Sequence, residues 1–165
     1  MKRISRAMIL FLGVCSWSIS AAEIHTVREP RQVLDSVTGA SMTVLNFWAT
    51  WCVPCVAEMN DFRILSDRFK ENVRFVGISL DDAIPGDRDK TVRKVEKFLE
   101  AKEITYSNLY WIGSPDPLLN HFNLTGEIPV TIVFDAEGRE LYRHEGIIEG
   151  EQFSRELERR LTGSR

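Results

Sequence analysis

The stretch Val44-Leu45-Asn46-Phe47-Trp48-Ala49-Thr50-Trp51-Cys52-Val53-Pro54-Cys55 constrains this chain more than any other. An apolar, β-prone run leads straight into two cysteines separated by two residues, and an amphipathic segment follows. A strand that breaks into a helix there leaves Cys52 at the helix N-terminus. Its sulfur then faces backbone N–H groups with no partner inside the helix, and the positive end of the helix dipole. Both effects favour the thiolate, so Cys52 is expected to be nucleophilic near neutral pH. Cys55 lies one turn further on, close enough to close a disulfide and expel whatever Cys52 has captured. The pair reads as a dithiol/disulfide redox centre.

Other uses of C-x-x-C fit less well. A zinc site needs two further ligands. The only other cysteine is Cys15, and His25, His121 and His144 stand alone. A purely structural bridge usually closes a longer loop, because a short one constrains the unfolded chain least.

The N-terminus opens Met1-Lys2-Arg3-Ile4-Ser5-Arg6, runs nearly apolar from Ala7 to Val14, and reaches Ser20-Ala21-Ala22 ahead of Glu23. Basic, then apolar, then small-x-small is the pattern of a secretory signal peptide, here residues 1–22. The stretch from Ala7 to Ile19 is shorter than the ~20 residues of a membrane span and carries Ser16 and Ser18; an uncleaved anchor is the alternative. Val14 stands before Cys15 where a lipidation signal wants a small residue. Cleavage after Ala22 removes Cys15, Lys2, Arg3 and Arg6, making the chain more acidic than its formal −3. No basic cluster is left for nucleic acid. Residues 23–165 suit one domain with one core. Export places that domain where disulfides persist, and a lone C-x-x-C there is too little for a stapling framework.

Hydrophobic period and breakers order the rest. Ile24 to Val27 reads as a short strand and Glu29-Pro30-Arg31 opens a helix to Val37, ended by Gly39. Thr43 to Trp48 is a buried strand. The helix after it runs to about Lys70, with Val56, Met59, Phe62, Leu65 and Phe69 as core. Val73 to Leu80 is a strand, Asp81 to Asp89 a polar loop around Pro85-Gly86, and Lys90 to Lys102 a surface helix. Tyr106 to Ile112 is a strand and Ser114 to Phe122 a short helix. Val130 to Phe134 and Glu140 to His144 form a hairpin on Asp135-Ala136-Glu137-Gly138, and Glu149 to Leu161 is the last helix. Alternating strands and helices that end in a hairpin and a helix predict an α/β fold, a mixed central sheet flanked by helices.

With this order in place, the chain resembles the thioredoxin superfamily, and within it the TlpA/ResA-type exported thiol–disulfide oxidoreductases, a group that includes cytochrome c maturation reductases. The resemblance is carried by Asn46 to Cys55, by Glu58 one turn later, and by Gly126-Glu127-Ile128-Pro129-Val130-Thr131 before a strand ending Asp135-Ala136-Glu137-Gly138. It implies a thioredoxin fold with a βα insertion, roughly Asp81 to Ile112, between the active-site half and the cis-proline half. It implies Cys52 and Cys55 as the catalytic pair, with no cofactor beyond their disulfide and no metal. It also implies a cis Pro129 against that disulfide, Ile128 offering its backbone to an extended substrate, and a substrate surface of Trp51, Pro54, Ile128 and Pro129. Asn46 stands where thioredoxin keeps a buried aspartate, and an amide cannot shuttle protons. The acid nearest the dithiol is Glu58, which half-buried could take the proton from Cys55 and, ionised, would raise the thiol pKa values; otherwise it is a solvated helix residue.

Val53-Pro54 puts neither a cation nor a side-chain donor between the cysteines, so the thiolate depends on the helix end alone. That favours the low-potential side, nearer roughly −270 mV than the roughly −120 mV of strong oxidants. The function expected is reduction of disulfides in periplasmic proteins, with cytochrome c maturation as one setting. A membrane electron donor would restore the dithiol, and the protein would act as a monomer. Copper-site assembly or copper handling is the alternative, although copper carriers on this fold tend to use C-x3-C with a downstream histidine. A thiol peroxidase fits less well, since it wants a Thr three residues before the reactive Cys and Thr50 is two before Cys52.

Overall fold

The computed structural model describes residues 24–163, so the predicted signal peptide, residues 1–22, lies outside the described residues. Eleven elements follow in order: β1 Ile24–Val27, α1 Pro30–Val37, β2 Met42–Trp48, α2 Val53–Phe69, β3 Arg74–Ser79, α3 Arg88–Ala101, β4 Ser107–Trp111, α4 Asp116–His121, β5 Val130–Asp135, β6 Glu140–Glu145 and α5 Gly150–Gly163. They build one mixed sheet in the order β1-β4-β3-β2-β5-β6. β1 to β4 run parallel, while β5 pairs antiparallel with β2 and β6 antiparallel with β5.

Local chemistry explains the boundaries. Pro30 starts α1, and the Gln32 side chain accepts the Glu29 N–H at 3.0 Å. Asp87 caps α3 by accepting the Lys90 N–H at 3.1 Å, so that helix begins earlier than its apolar period predicts. The segment read as a uniform polar loop also holds a 3-10 turn at Asp81–Ala83.

β2 is buried along its whole length, and its alternation sorts the core into two layers. Val44 and Trp48 join the inner residues of α2, α3 and α5, including Met59, Phe62, Val95, Phe153 and Leu157. Leu45 and Phe47 join those of α1 and α4, including Val33, Val37 and Leu118. Val56, read as core, is only partly buried. The inserted α3 and β4 dock on the same frame: Trp48 stacks on Phe98 at 5.6 Å, and its indole N–H donates to Asn108 Oδ1 at 3.1 Å. Gly77 makes room for that bond, since a Cβ there would stand 2.2 Å from Asn108 Oδ1 and 2.9 Å from the Trp48 indole nitrogen. The parallel strands all release their loops at one end, which is where the cysteine pair stands.

Candidate active site

Cys52 and Cys55 are joined as a disulfide. Cys52 is the N-cap of α2, and the Cys55 N–H donates to its sulfur at 3.2 Å. This is one of the N–H groups that α2 cannot satisfy internally, aimed at the atom where thiolate charge would develop. Cys52 keeps 4 % of its surface exposed and Cys55 none, so an incoming sulfur meets Cys52 first.

The loop from the other half of the chain closes on this sulfur. The Ile128–Pro129 peptide bond is cis, and Cys52 Sγ lies 3.6 Å from the Ile128 carbonyl oxygen. The Pro129 carbonyl accepts the Gly146 N–H at 2.9 Å, which ties the loop to the end of β6. Pro54 is partly buried and Trp51 is 44 % exposed. Val53, Ile84 and Ile147, exposed by 79 %, 53 % and 49 %, stand on chain segments at the same end. Sequence reading gave no role to Ile84 or Ile147, because an apolar residue in a loop looks like any other.

Glu58 is neither solvated nor half-buried; it is 1 % exposed. Its carboxylate accepts the Asn46 side-chain amide on Oε1 at 3.0 Å and the Ile148 N–H on Oε2 at 2.9 Å. Burial pushes its pKa from 4.5 to about 7, against the Ile148 and Asn46 hydrogen bonds that lower it, with a small upward contribution from Asp61. One helical turn after Cys55, such an acid can take or give a proton at neutral pH. Asn46 also donates to Thr131 Oγ1 at 3.2 Å, so the amide is held from two sides and fixes the position of the acid.

Asp81 is a functional candidate that sequence reading passed over. It is 3 % exposed, and its carboxylate accepts the Thr50 N–H at 3.0 and 3.3 Å and the Thr50 hydroxyl. The Ser79 hydroxyl donates to it at 2.8 Å. No cluster of His, Cys, Asp and Glu suited to a metal occurs among the described residues, and no helix among them is long and apolar enough to cross a membrane.

The chain is similar to known proteins over most of the described residues. The model of the AhpC/TSA family matches residues 25–147. Sporulation thiol-disulfide oxidoreductase A of Bacillus subtilis (strain 168) is 23 % identical over 150 residues, spanning 83 % of this chain and 86 % of that protein. Thiol-disulfide oxidoreductase ResA of Oceanobacillus iheyensis is 35 % identical over 96 residues, which are 52 % of this chain and 45 % of that protein. The crystal structure of StoA from Bacillus subtilis superposes with a TM-score of 0.58 at 24 % identity, covering 72 % of this chain and 82 % of that one. The fold is the thioredoxin fold that the motifs imply.

Proposed function

We propose that this chain, which belongs to the AhpC/TSA family and is a thiol–disulfide oxidoreductase, works outside the cytoplasm as a reductant of disulfides in exported proteins. The observation that carries the reading is the Cys52 sulfur, held at the start of α2 by the Cys55 N–H, with only Val53 and Pro54 between the cysteines. The helix end stabilises the thiolate enough to make it reactive, and Val53-Pro54 puts no cation between the cysteines to stabilise it further into an oxidant.

The steps follow from the roles assigned to the two sulfurs. The Cys52 thiolate attacks one sulfur of a client disulfide; that S–S bond breaks and the other client sulfur leaves as a thiolate. Cys55 gives its proton to the Glu58 carboxylate and attacks the Cys52 sulfur. The mixed disulfide breaks, the second client thiolate leaves, and two electrons have passed from the protein dithiol to the client. Trp51, Pro54, Ile128 and Pro129 frame the client segment. A membrane protein carrying electrons from the cytosol returns Cys52–Cys55 to the dithiol, and the protein works as a monomer without metal.

An apocytochrome c with a C-x-x-C-H haem site is one client class, and a cysteine pair at a copper site is the other. A peroxidase role is less well supported, because the Thr50 hydroxyl is engaged by Asp81. Single-turnover mixing of the reduced protein with an oxidised client protein tests the reading. Stoichiometric client thiol should appear, and a glutathione equilibrium near that of the strong oxidants, about −120 mV, would sink it.

A further inference from the structure

We propose that Asp81 is a positioning residue of the redox centre: its carboxylate holds the Ala49–Cys52 turn against the end of β3 and so sets where the Cys52 sulfur stands. The proposal rests on the reductase reading and concerns how the pair is kept poised for it.

The β2–β3 ladder ends with the Leu80 N–H donating to the Trp48 carbonyl at 2.8 Å. Beyond it, β2 runs into a tight turn in which the Cys52 N–H donates to the Ala49 carbonyl at 3.2 Å. Thr50 is the first of the two residues this turn spans, and Asp81 takes both its N–H and its hydroxyl. Asp81 is itself held, since its own N–H donates to Ser79 Oγ at 3.3 Å while the Ser79 hydroxyl donates back to the carboxylate at 2.8 Å. Donors therefore converge on both carboxylate oxygens. A buried charge is costly unless it is saturated in this way.

The adjacent carboxylate faces the insertion. Asp82 accepts the Gly113 N–H at 2.8 Å and the Arg88 guanidinium at 3.1 Å. One 3-10 turn therefore joins the redox turn to α3 and to the loop after β4.

Two consequences of Asp81 act in the same direction. Fixing the turn holds the Cys52 sulfur where Cys55 can reach it, which favours the closed disulfide over the open dithiol. A negative charge bound two residues before Cys52 disfavours the thiolate, which belongs to the reduced form. Both make the dithiol a better electron donor.

Redox equilibrium with glutathione, in which protein dithiol and glutathione disulfide exchange for protein disulfide and two glutathione thiols, reads this directly. Asp81→Asn should move the constant about tenfold toward the dithiol, or ~30 mV for this two-electron couple. Thr50→Val, which loses only the hydroxyl, should move it several-fold in the same direction. Thr50→Ser keeps the hydroxyl and should stay within about twofold of wild type. The double variant Asp81→Asn/Thr50→Val should go no further than Asp81→Asn, because both act through one contact. If Asp81→Asn does not fold, Thr50→Val and Thr50→Ser carry the decision. Constants for Asp81→Asn and Thr50→Val that match wild type overturn the proposal, whatever happens to their thermal midpoints. A wild-type dithiol that equilibrates with glutathione yet reduces no protein disulfide overturns the reductase reading instead, and the variants' constants still decide the role of Asp81.

Discussion

Asn46 donates its side-chain amide to Glu58 Oε1 at 3.0 Å across the interface between β2 and α2, and both side chains are fully buried. The amide supplies a donor without supplying a second charge. A carboxylate at position 46 would repel Glu58, and an apolar residue would leave Oε1 without its partner. The pairing keeps one titratable acid behind the cysteines, with a pKa of about 7 where it can change state at neutral pH.

Glu58→Gln should change the pH dependence of both stability and turnover. Burial raises the folded-state pKa of Glu58 from 4.5 to about 7. Below about pH 4.5 the acid is protonated in both folded and unfolded chains. Between there and about pH 7 the folded chain keeps a proton that the unfolded chain has lost, so stability falls as pH rises, by about 3 kcal/mol in all. In the glutamine variant this fall should disappear, which urea midpoints of the oxidised protein at pH 4.5 and 8 will show. Losing the negative neighbour should also lower the apparent pKa of the dithiol, and losing the proton acceptor should slow turnover on the order of tenfold or more. Superimposable thiolate titrations and equal rates would leave Glu58 a structural acid only.

Cys52 should alkylate before Cys55 in the reduced protein at pH 7. It caps α2, receives the Cys55 N–H and keeps a small exposed surface, whereas Cys55 has none. Brief treatment with iodoacetamide followed by peptide mass mapping checks the order, and preferential labelling of Cys55 reverses the assignment of attacker and resolver.

Gly77→Ala should be destabilising far beyond an ordinary strand substitution. The new methyl would stand 2.2 Å from Asn108 Oδ1 and displace the acceptor of the buried Trp48 indole. Overpacking of this kind costs about 1–3 kcal/mol, and an orphaned buried N–H costs about as much again. Urea denaturation measures the loss, and a blue or red shift of tryptophan emission in the folded variant would report the disturbed indole.

Much of this was legible in the chain. The apolar run into Trp48, the C-x-x-C and the proline before Val130 announce themselves because each depends on neighbours within a few residues. The burial of Glu58 does not, for the loop that covers it is ninety positions away at Ile148. Asn46 reads as the loss of an acid, and only the packing of α2 on β2 turns it into the support of another. Asp81 opens a string of polar residues that looks solvated throughout, and a carboxylate clamped under a turn is spelled like one in water. Local period gives elements; convergence of distant loops gives the site.

Cys55→Ser should convert a transient intermediate into a stable one. If Cys52 attacks a client disulfide, the two proteins are joined through sulfur until Cys55 attacks in turn. Serine keeps the size of the side chain and the start of α2 but supplies no second sulfur, so the mixed disulfide should persist and survive non-reducing electrophoresis. Cys52→Ser is the control and should trap far less, because its remaining thiol is completely buried. Species trapped in the native compartment should include a membrane electron donor and exported proteins with reducible cysteine pairs. A trapped apocytochrome c favours the maturation role, a copper-site protein favours oxidase assembly, and a broad mixture indicates general reduction. Should Cys55→Ser trap nothing while the wild type still reduces model disulfides, Cys52 is not the attacking sulfur and the two-step exchange is wrong.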